Sequence, residues 1–180
     1  MKAAVLCNGP SRTAFFGNES AYDFTMGCNI PWTKVDATVV LDDGVVDKWA
    51  SVPNLISVPT YFSINAWRRT DAIKKRDFFK QFLTGDLIKP KYPYHSCGHN
   101  AVETVIRLGY NIIDVYGCDS YFRNDTSTFT RSIITEDNTA DDAKLIAGWR
   151  MRWKEIVHNH PEVTLNFIGS HEDIHQARLP

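Results

Sequence analysis

Apolar residues follow two alternating periods along the chain, and each period predicts a different element. Short runs rich in Val, Ile and aromatic residues are typical of buried strands, and they recur between turn residues. The predicted strands are 3–7, 22–28, 37–41, 56–59, 112–117 and 163–168. Apolar residues at helical spacing predict helices over 66–83, 101–108 and 140–159. Strands that alternate with helices indicate an α/β fold with a mostly parallel sheet.

The chain is organised around the segment 94–121. Its helix is apolar on one face, and Gly109 follows directly, where a helix end favours a residue that tolerates a left-handed backbone. Polar clusters precede this helix (HSCGHN) and follow the next strand (CDSYFRND). Because ligands bind beyond the carboxyl ends of strands in open α/β sheets, we expect both clusters to face a crevice.

The pattern predicts one Rossmann-like domain over 1–180, with helices that flank the central sheet. The segment from about 122 to 142 is polar, without glycine or sustained periodicity. A loop of this length is uncommon inside a compact domain and is often a lid. We therefore expect a polar lid loop here, and the alternative is a disordered segment without function.

Composition narrows the possible partners and compartment. Apolar residues make up 43% of the chain, which suits a globular domain, and the net charge of −1 argues against nucleic-acid binding. No apolar run is long enough to span a bilayer. The four cysteines lack paired spacing, so we expect reduced thiols in a cytoplasmic protein. They are Cys7, Cys28, Cys97 and Cys118.

Two segments bear on interaction surfaces. The predicted helix 66–83 carries a basic face, which is usually only solvated; contact with an acidic acceptor or an anionic membrane surface is the alternative. Trp149 and Trp153 suit a homo-oligomer interface and core packing equally well.

Polar corners recur at the ends of the predicted strands and at the start of the central helix. This layout is typical of a nucleotide-binding α/β domain. The corner residues are Asn8, Gly9, Pro10, Ser11, Asn29, Asp42, Asp43, Ser96, Cys97, Gly98, Asp119 and Tyr121. The first corner, NGPS, offers backbone amides for a phosphate or ribose. Its alternative interpretation is an ordinary turn with Ser11 as a helix cap.

Two clusters contain residue types that bind metals. HEDIH at 171–175 matches the H-E-x-x-H pattern of zinc proteases, but it directly follows a predicted strand. His95, Cys97 and His99 have only Cys118 to complete a zinc site, and their spacing matches no familiar zinc module. We therefore expect no metal centre, and we expect the polar helix start to favour an anion.

The corners taken together carry a resemblance. VLCNGPS, then YDFTMGCN, then SCGHNAVETVIRLGYNIIDVYGCDSYF resembles the bacterial sialyltransferases that extend lipooligosaccharides. The set is also similar to the related motility-accessory and pterin-pyrophosphokinase-like proteins with a G-x-G-P-S turn. Those families have an N-G-P-S turn, an asparagine that ends the second strand, a T-S-G that opens a helix, and a G-x-D-x-Y after the next strand. Order and approximate spacing agree over most of the chain.

The resemblance implies a glycosyltransferase that binds a CMP-sugar donor at the strand ends. It assigns nucleotide contacts to the equivalent residues here, which are Asn8, Gly9, Pro10, Ser11, Asn29, Ser96, Cys97 and Gly98. It also implies that Tyr121 helps to stabilise the leaving phosphate, with Arg123 or Arg131 as further candidates for this role. The chain departs from the family pattern in two corners. Asp42 and Asp43 stand where the family has an asparagine, and Cys97 replaces its serine.

A third departure concerns the general base. The family places a histidine in or just after the lid, and 122–149 contains none. A base must reach the acceptor hydroxyl, and histidine is the usual choice near neutral pH. His171 and His99 are the candidate replacements, and Asp119 and Asp43 are the carboxylate alternatives.

Three functions remain open from the sequence. The first is a nucleotide-sugar transferase that needs no cofactor and acts on an unidentified acceptor. The second is a protein that binds a nucleotide without catalysis. The third is a metal-dependent pyrophosphoryl transferase or phosphohydrolase in which Asp42, Asp43 and Asp119 gather a divalent ion.

Overall fold

Six strands form one sheet in the computed structural model, which describes residues 1–89, 95–123, 130, 133 and 142–169. The strands are β1 (Lys2–Leu6), β2 (Phe24–Cys28), β3 (Ala37–Val40), β4 (Thr60–Phe62), β5 (Ile112–Tyr116) and β6 (Thr164–Ile168). The helices are α1 (Asp43–Ser51), α2 (Ile64–Ala72), α3 (Arg76–Lys80), α4 (Cys97–Arg107), α5 (Asp119–Phe122) and α6 (Asp142–Asn159). Two 3-10 helices, Pro10–Phe15 and Glu19–Ala21, lie between β1 and β2.

The strand order is β4-β3-β2-β1-β5-β6, and every neighbouring pair is parallel. The chain builds the sheet outward from β1 to β4, returns through α4, and adds β5 and β6 on the other side of β1. This reversal puts a topological switch point between β1 and β5. The predicted Rossmann-like α/β fold is confirmed, with an entirely parallel sheet instead of a mostly parallel one.

The main core lies between the sheet and helices α4 and α6. Alternate residues of β1 point to opposite faces, so Ala3 and Val5 face this core while Ala4 and Leu6 face the other side. On the helix side, Val102 and Val105 of α4 are fully buried against the strands. Burial on both faces explains the continuous apolar runs of the central strands.

A second core is built from aromatic residues around Trp49 of α1. Its ring stacks on Phe62 of β4 and meets the edge of Phe79 from α3, with centroid separations of 6.0 and 5.0 Å. Trp49, Phe62 and Phe79 have no exposed surface. This cluster fastens α1, α2 and α3 to the β4 side of the sheet.

A buried carboxylate in strand β5 lies outside both of these cores. Asp114 accepts hydrogen bonds from the Tyr22 hydroxyl (2.7 Å) and the Asn166 amide (2.8 Å). The ammonium group of Lys2 lies 2.9 Å from the same carboxylate. Burial alone would raise the pKa of Asp114, but these partners outweigh burial and lower it. A paired carboxylate is therefore tolerated in a central strand.

Two predicted elements differ from the observed ones. The predicted strand 56–59 is replaced by β4, which begins directly after Pro59, because a proline has no N–H to donate to a strand ladder. The predicted helix 66–83 is split into α2 and α3, since Lys74 adopts a left-handed φ of 56°. The break directs the side chain of Phe79 into the aromatic core.

Trp153 of α6 belongs to the main core. Trp153 is 2% exposed and packs against His99 and Phe167, with centroid separations of 4.1 and 4.9 Å. Core packing therefore accounts for Trp153 without a subunit interface. Within the described ranges, none of the helices has the length and apolar character needed to cross a membrane.

Replacing Phe62 by Ala tests the aromatic core. Phe62 is fully buried, so Phe62→Ala should lower the free energy of unfolding by about 3–5 kcal/mol, measured by chemical denaturation. Phe16, which is 58% exposed and touches the edge of Trp32, is the control, and Phe16→Ala should cost no more than about 1.5 kcal/mol. Equal losses for the two variants would contradict the assignment of Phe62 to a core.

Candidate functional site

Asn8 stands at the carboxyl end of β1, in the middle of the sheet. Its amide nitrogen Nδ2 donates to the carbonyl of Cys28 (2.5 Å) and to Oγ1 of Thr130 (2.6 Å). The side chain is 6% exposed, and its oxygen Oδ1 is buried without a hydrogen-bond partner among the described residues. Buried polar atoms are normally paired, so this acceptor is an exception that calls for a donor.

The turn after β1 is tied to the loop after β5. Asp119, which is 3% exposed, accepts hydrogen bonds from the backbone N–H and the hydroxyl of Ser11, both 2.9 Å to Oδ2. The 3-10 helix Pro10–Phe15 has no side-chain cap from its own N-cap residue. Asp119, which follows the neighbouring strand β5, caps it instead. Ser11 is thus a donor to Asp119 instead of a cap.

Two glycines allow this close approach. The N–H of Gly9 donates to the carbonyl of Gly117 at 2.8 Å, and a Cβ on Gly9 would lie 2.3 Å from Asp119 Oδ2. Gly117 has a φ of 67°, and a Cβ there would lie 2.5 Å from the carbonyl oxygen of Cys7. The amides of Gly9 and Ser11 are therefore engaged within the protein. The prediction that this turn cradles a phosphate with exposed amides does not hold for these two groups.

Asn29 joins the ends of β2 and β3. Its backbone is left-handed, with a φ of 54°, which asparagine tolerates better than most residues. Its Nδ2 donates to Asp42 (2.6 Å) and its Oδ1 accepts from the N–H of Leu41 (3.2 Å). Asn29 therefore shapes the corner with both ends of its amide. Asp42 and its neighbour Asp43, at the start of α1, are exposed.

Helix α4 starts with a buried histidine. The N–H of Ser96 donates to Nδ1 of His99 at 3.0 Å, so the ring hydrogen lies on Nε2, which donates to the carbonyl of Trp149 at 3.0 Å. His99 has no exposed surface, and burial lowers its pKa to about 3. This geometry favours a structural role for His99 over the catalytic role predicted from the sequence.

Cys97 and Gly98 pack the first turn of α4 against the strand ends. The thiol of Cys97 donates to the carbonyl of Val39 in β3 at 3.0 Å, and burial raises its pKa. A Cβ on Gly98 would lie 2.8 Å from Sγ of Cys7, so only glycine fits without displacing that sulfur. The start of α4 therefore lies directly over the ends of β1 and β3.

All four cysteines of the chain converge at this edge of the sheet. Sγ of Cys28 lies 3.9 Å from Sγ of Cys7, and Cys118 and Cys97 extend this row at either end. The cysteines are free thiols. The sequence spacing hides this cluster, although each cysteine ends a strand, follows one, or begins a helix. Because the carboxyl ends of parallel strands lie at one edge of the sheet, the predicted strand positions would have indicated that these cysteines lie close together.

Thr130 is a site residue that the sequence analysis missed. It is 4% exposed and holds Nδ2 of Asn8, and Ile133 packs partly against the aromatic core. Both residues belong to the predicted lid 122–142, of which most lies outside the described residues. One threonine in a segment rich in Ser and Thr carries no distinguishing signal.

The remaining predicted residues lie in or just after α5, or outside the described residues. The ring of Tyr121 stacks on Phe167 of β6 at 3.8 Å, and burial raises its pKa. The backbone N–H of Arg123 donates to the carbonyl of Asp119 at 2.8 Å. His171, with the HEDIH motif, and Arg131 lie outside the described residues.

The strand order separates the carboxylates proposed to share an ion. Asp42 follows β3 and Asp119 follows β5, which are three strand spacings apart, or about 14 Å. One ion cannot bridge that distance. In the part of the chain that the structure describes, no group of three or more His, Cys, Asp or Glu side chains is placed to hold a metal.

The structure thus divides the predicted residues into two groups. Asn8, Gly9, Ser11 and Asp119 meet at the switch point, and Asn29, Asp42 and Cys97 meet over β2 and β3. Comparison with known proteins adds no family to this geometry. Neither a protein-family model nor a curated protein matches the chain.

Replacing Asp119 by Ala tests the link across the switch point. Asp119→Ala leaves the buried N–H of Ser11 without its acceptor, so the free energy of unfolding should fall by about 1–3 kcal/mol. Asp43→Ala removes an exposed carboxylate in the first turn of α1 and should cost less than about 1 kcal/mol. Chemical denaturation measures both, and equal costs would show that Asp119 is not a structural acceptor.

The buried imidazole of His99 predicts a pH dependence of stability. Its pKa is about 3 in the folded protein and 6.5 ordinarily, so the unfolded chain takes up the proton first and stability falls as the pH drops from 6.5 towards 3. Over most of that range the loss should approach about 1.4 kcal/mol per pH unit. Denaturation of wild type and His99→Gln at several pH values measures it. Parallel pH profiles for the two proteins would contradict the prediction.

Proposed function

We propose that this protein binds a nucleotide over the ends of β1, β2 and β3 and uses a nucleotide-activated sugar as a glycosyl donor. The observation that supports this most directly is Oδ1 of Asn8, a buried acceptor without a partner among the described residues at the end of the central strand. Leaving such an atom unpaired costs about 1–3 kcal/mol. A ribose hydroxyl or the amino group of a base would supply the missing donor.

The side chain of Asn8 can bind a ligand only through Oδ1, which accepts a hydrogen bond, because its Nδ2 already donates to Cys28 and Thr130. A cytosine amino group fits that requirement, whereas the uracil carbonyl at the same ring position would face Oδ1 with a second acceptor. The sequence resemblance independently points to a CMP-sugar. We therefore place the nucleoside at Asn8 in this proposal.

In this proposal the donor phosphate lies at the start of α4. The first amides of a helix have no intrahelical acceptor, and the helix dipole favours an anion there. Residue 98 is a glycine that keeps this turn close to the end of β1. The turn amides of Gly9 and Ser11 are already bonded within the protein. At the start of α4 the amides of Ser96 and His99 are bonded in a capping box, so the amides of Cys97 and Gly98 are the ones assigned to the phosphate in this proposal.

Transfer requires a base for the acceptor molecule. Its hydroxyl would attack the anomeric carbon, the bond to the phosphate oxygen would break, and the nucleotide would leave with that electron pair. His99 and Asp119 are held by internal hydrogen bonds, whereas Asp43 is exposed. Of the candidate bases in the described residues, we therefore favour Asp43, and we keep Tyr121 as the residue that steadies the leaving phosphate.

A nucleotide-binding protein without transfer is the second candidate. It is favoured by the internal engagement of His99 and Asp119, two of the four candidate bases. The four free thiols suit a reducing compartment, and we therefore propose the cytoplasm as the location for either function.

Thermal denaturation with nucleotides tests the binding site. We expect CMP at about 100 times its Kd to raise the Tm by about 5–10 °C. UMP at the same concentration should raise it less. Asn8→Ala should abolish the shift relative to its own nucleotide-free Tm, and the control Asn18→Ala, whose Nδ2 bonds only the Ala14 carbonyl in an exposed turn, should keep it. No shift from CMP, UMP, AMP or GDP would overturn the proposal.

Release of free CMP from CMP-sialic acid separates the two candidates. Turnover that Asp43→Asn lowers without loss of CMP binding would support transfer with Asp43 as base. Binding of CMP without turnover over a panel of hydroxyl acceptors would favour the non-catalytic protein. Strict dependence on magnesium would instead support pyrophosphoryl or phosphohydrolytic chemistry.

A further inference from the structure

Cys7 and Cys28 occupy directly opposed positions on neighbouring strands. The register of β1 and β2 pairs Leu6 with Gly27, and one further step pairs Cys7 with Cys28. Both side chains belong to the core on the α4 side of the sheet, so they point to the same face. Their sulfurs are 3.9 Å apart.

This geometry is close to that of a disulfide. Neighbouring strands lie about 4.8 Å apart, and disulfides join Cα atoms about 4.4–6.8 Å apart. The two sulfurs would need to approach from 3.9 Å to about 2.05 Å, which side-chain rotation can supply without a change of register.

The surrounding thiols distinguish the two sulfurs chemically. Hydrogen bonds from Cys118 and Cys28 lower the pKa of Cys7, and the same contacts raise the pKa values of Cys28 and Cys118. This lowering of the pKa favours Cys7 over Cys28 as the nucleophile of the pair. Cys7 is 8% exposed, against 3% for Cys28.

We propose that Cys7 and Cys28 form an oxidation site that closes to a disulfide and weakens nucleotide binding at the residues that follow them. Asn8 follows Cys7 and Asn29 follows Cys28, and Nδ2 of Asn8 bonds the carbonyl of Cys28. A bond between the sulfurs also draws Sγ of Cys7 away from Gly98, against which it now packs. The effect on nucleotides rests on the proposed function, whereas the disulfide itself does not.

Hydrogen peroxide supplies the oxidising equivalents in a balanced reaction. The Cys7 thiolate attacks one peroxide oxygen, the O–O bond breaks, and hydroxide leaves and is protonated to water. The sulfur of Cys28 then attacks the resulting sulfenic acid, the S–O bond breaks, and a second water leaves with the thiol proton. Two thiols lose two electrons in total, and one peroxide is reduced to two waters.

The test uses the full chain, reduced or treated with one equivalent of hydrogen peroxide. Peptide mapping without reduction should show Cys7 joined to Cys28 and a mass loss of two hydrogens. CMP should bind the oxidised protein at least about tenfold more weakly, and reduction should restore the affinity. In Cys28→Ser, peroxide can still oxidise Cys7 to a sulfenic acid but cannot form this disulfide, so peroxide should lower its affinity for CMP less than it lowers that of the wild type. Cys118→Ser should still form the bond.

Several results would overturn the proposal. These are a disulfide between other cysteines, no disulfide at all, an unchanged affinity after the bond has formed, or a stoichiometric zinc ion held by the thiols of the reduced protein. Failure of the proposed function is distinguishable, because the reduced protein would then bind no CMP while the mapped disulfide still decides the pairing of Cys7 with Cys28.

Discussion

The junction between β1 and β5 is the constraint on which the rest of the structure depends. Four strands lie on one side of this junction, counting β1, and two on the other, so the two parts of the sheet meet only here. Asp119 bonds Ser11 across 108 positions of sequence, and the Gly9 N–H continues the pairing to Gly117. The turn residues on each side must be small because the backbones approach closely.

This junction also decides which polar groups remain for a ligand. The carboxylate of Asp119 already accepts a hydrogen bond from Ser11, and the side-chain amide of Asn29 already bonds Asp42 and so joins the ends of β2 and β3. Asn8 lies between these two links with its nitrogen bonded and its oxygen free of a described partner. In the described part of this edge, Oδ1 of Asn8 is therefore the buried acceptor without a partner, and the proposed function assigns a ligand donor to it.

The helix α4 couples that frame to the core. His99 is neutral because it is buried between Ser96 and the carbonyl of Trp149, and its ring packs on Trp153. The same first turn places Gly98 against Cys7. Since one helix turn contacts both the core and the strand ends, a substitution in either region should alter the packing of the other.

Local patterns in the sequence determined the fold class, most element positions and the polar corners, because alternation, helical spacing and turn residues act over a few neighbours. The segment 94–121 shows this, with α4, the left-handed Gly109 and β5 in the expected order. Only the tertiary structure decided which corners meet. Strand order separates Asp42 from Asp119, burial makes His99 structural, and four dispersed cysteines become neighbours. Each of these outcomes depends on contacts between residues distant in sequence, which local periodicity does not encode.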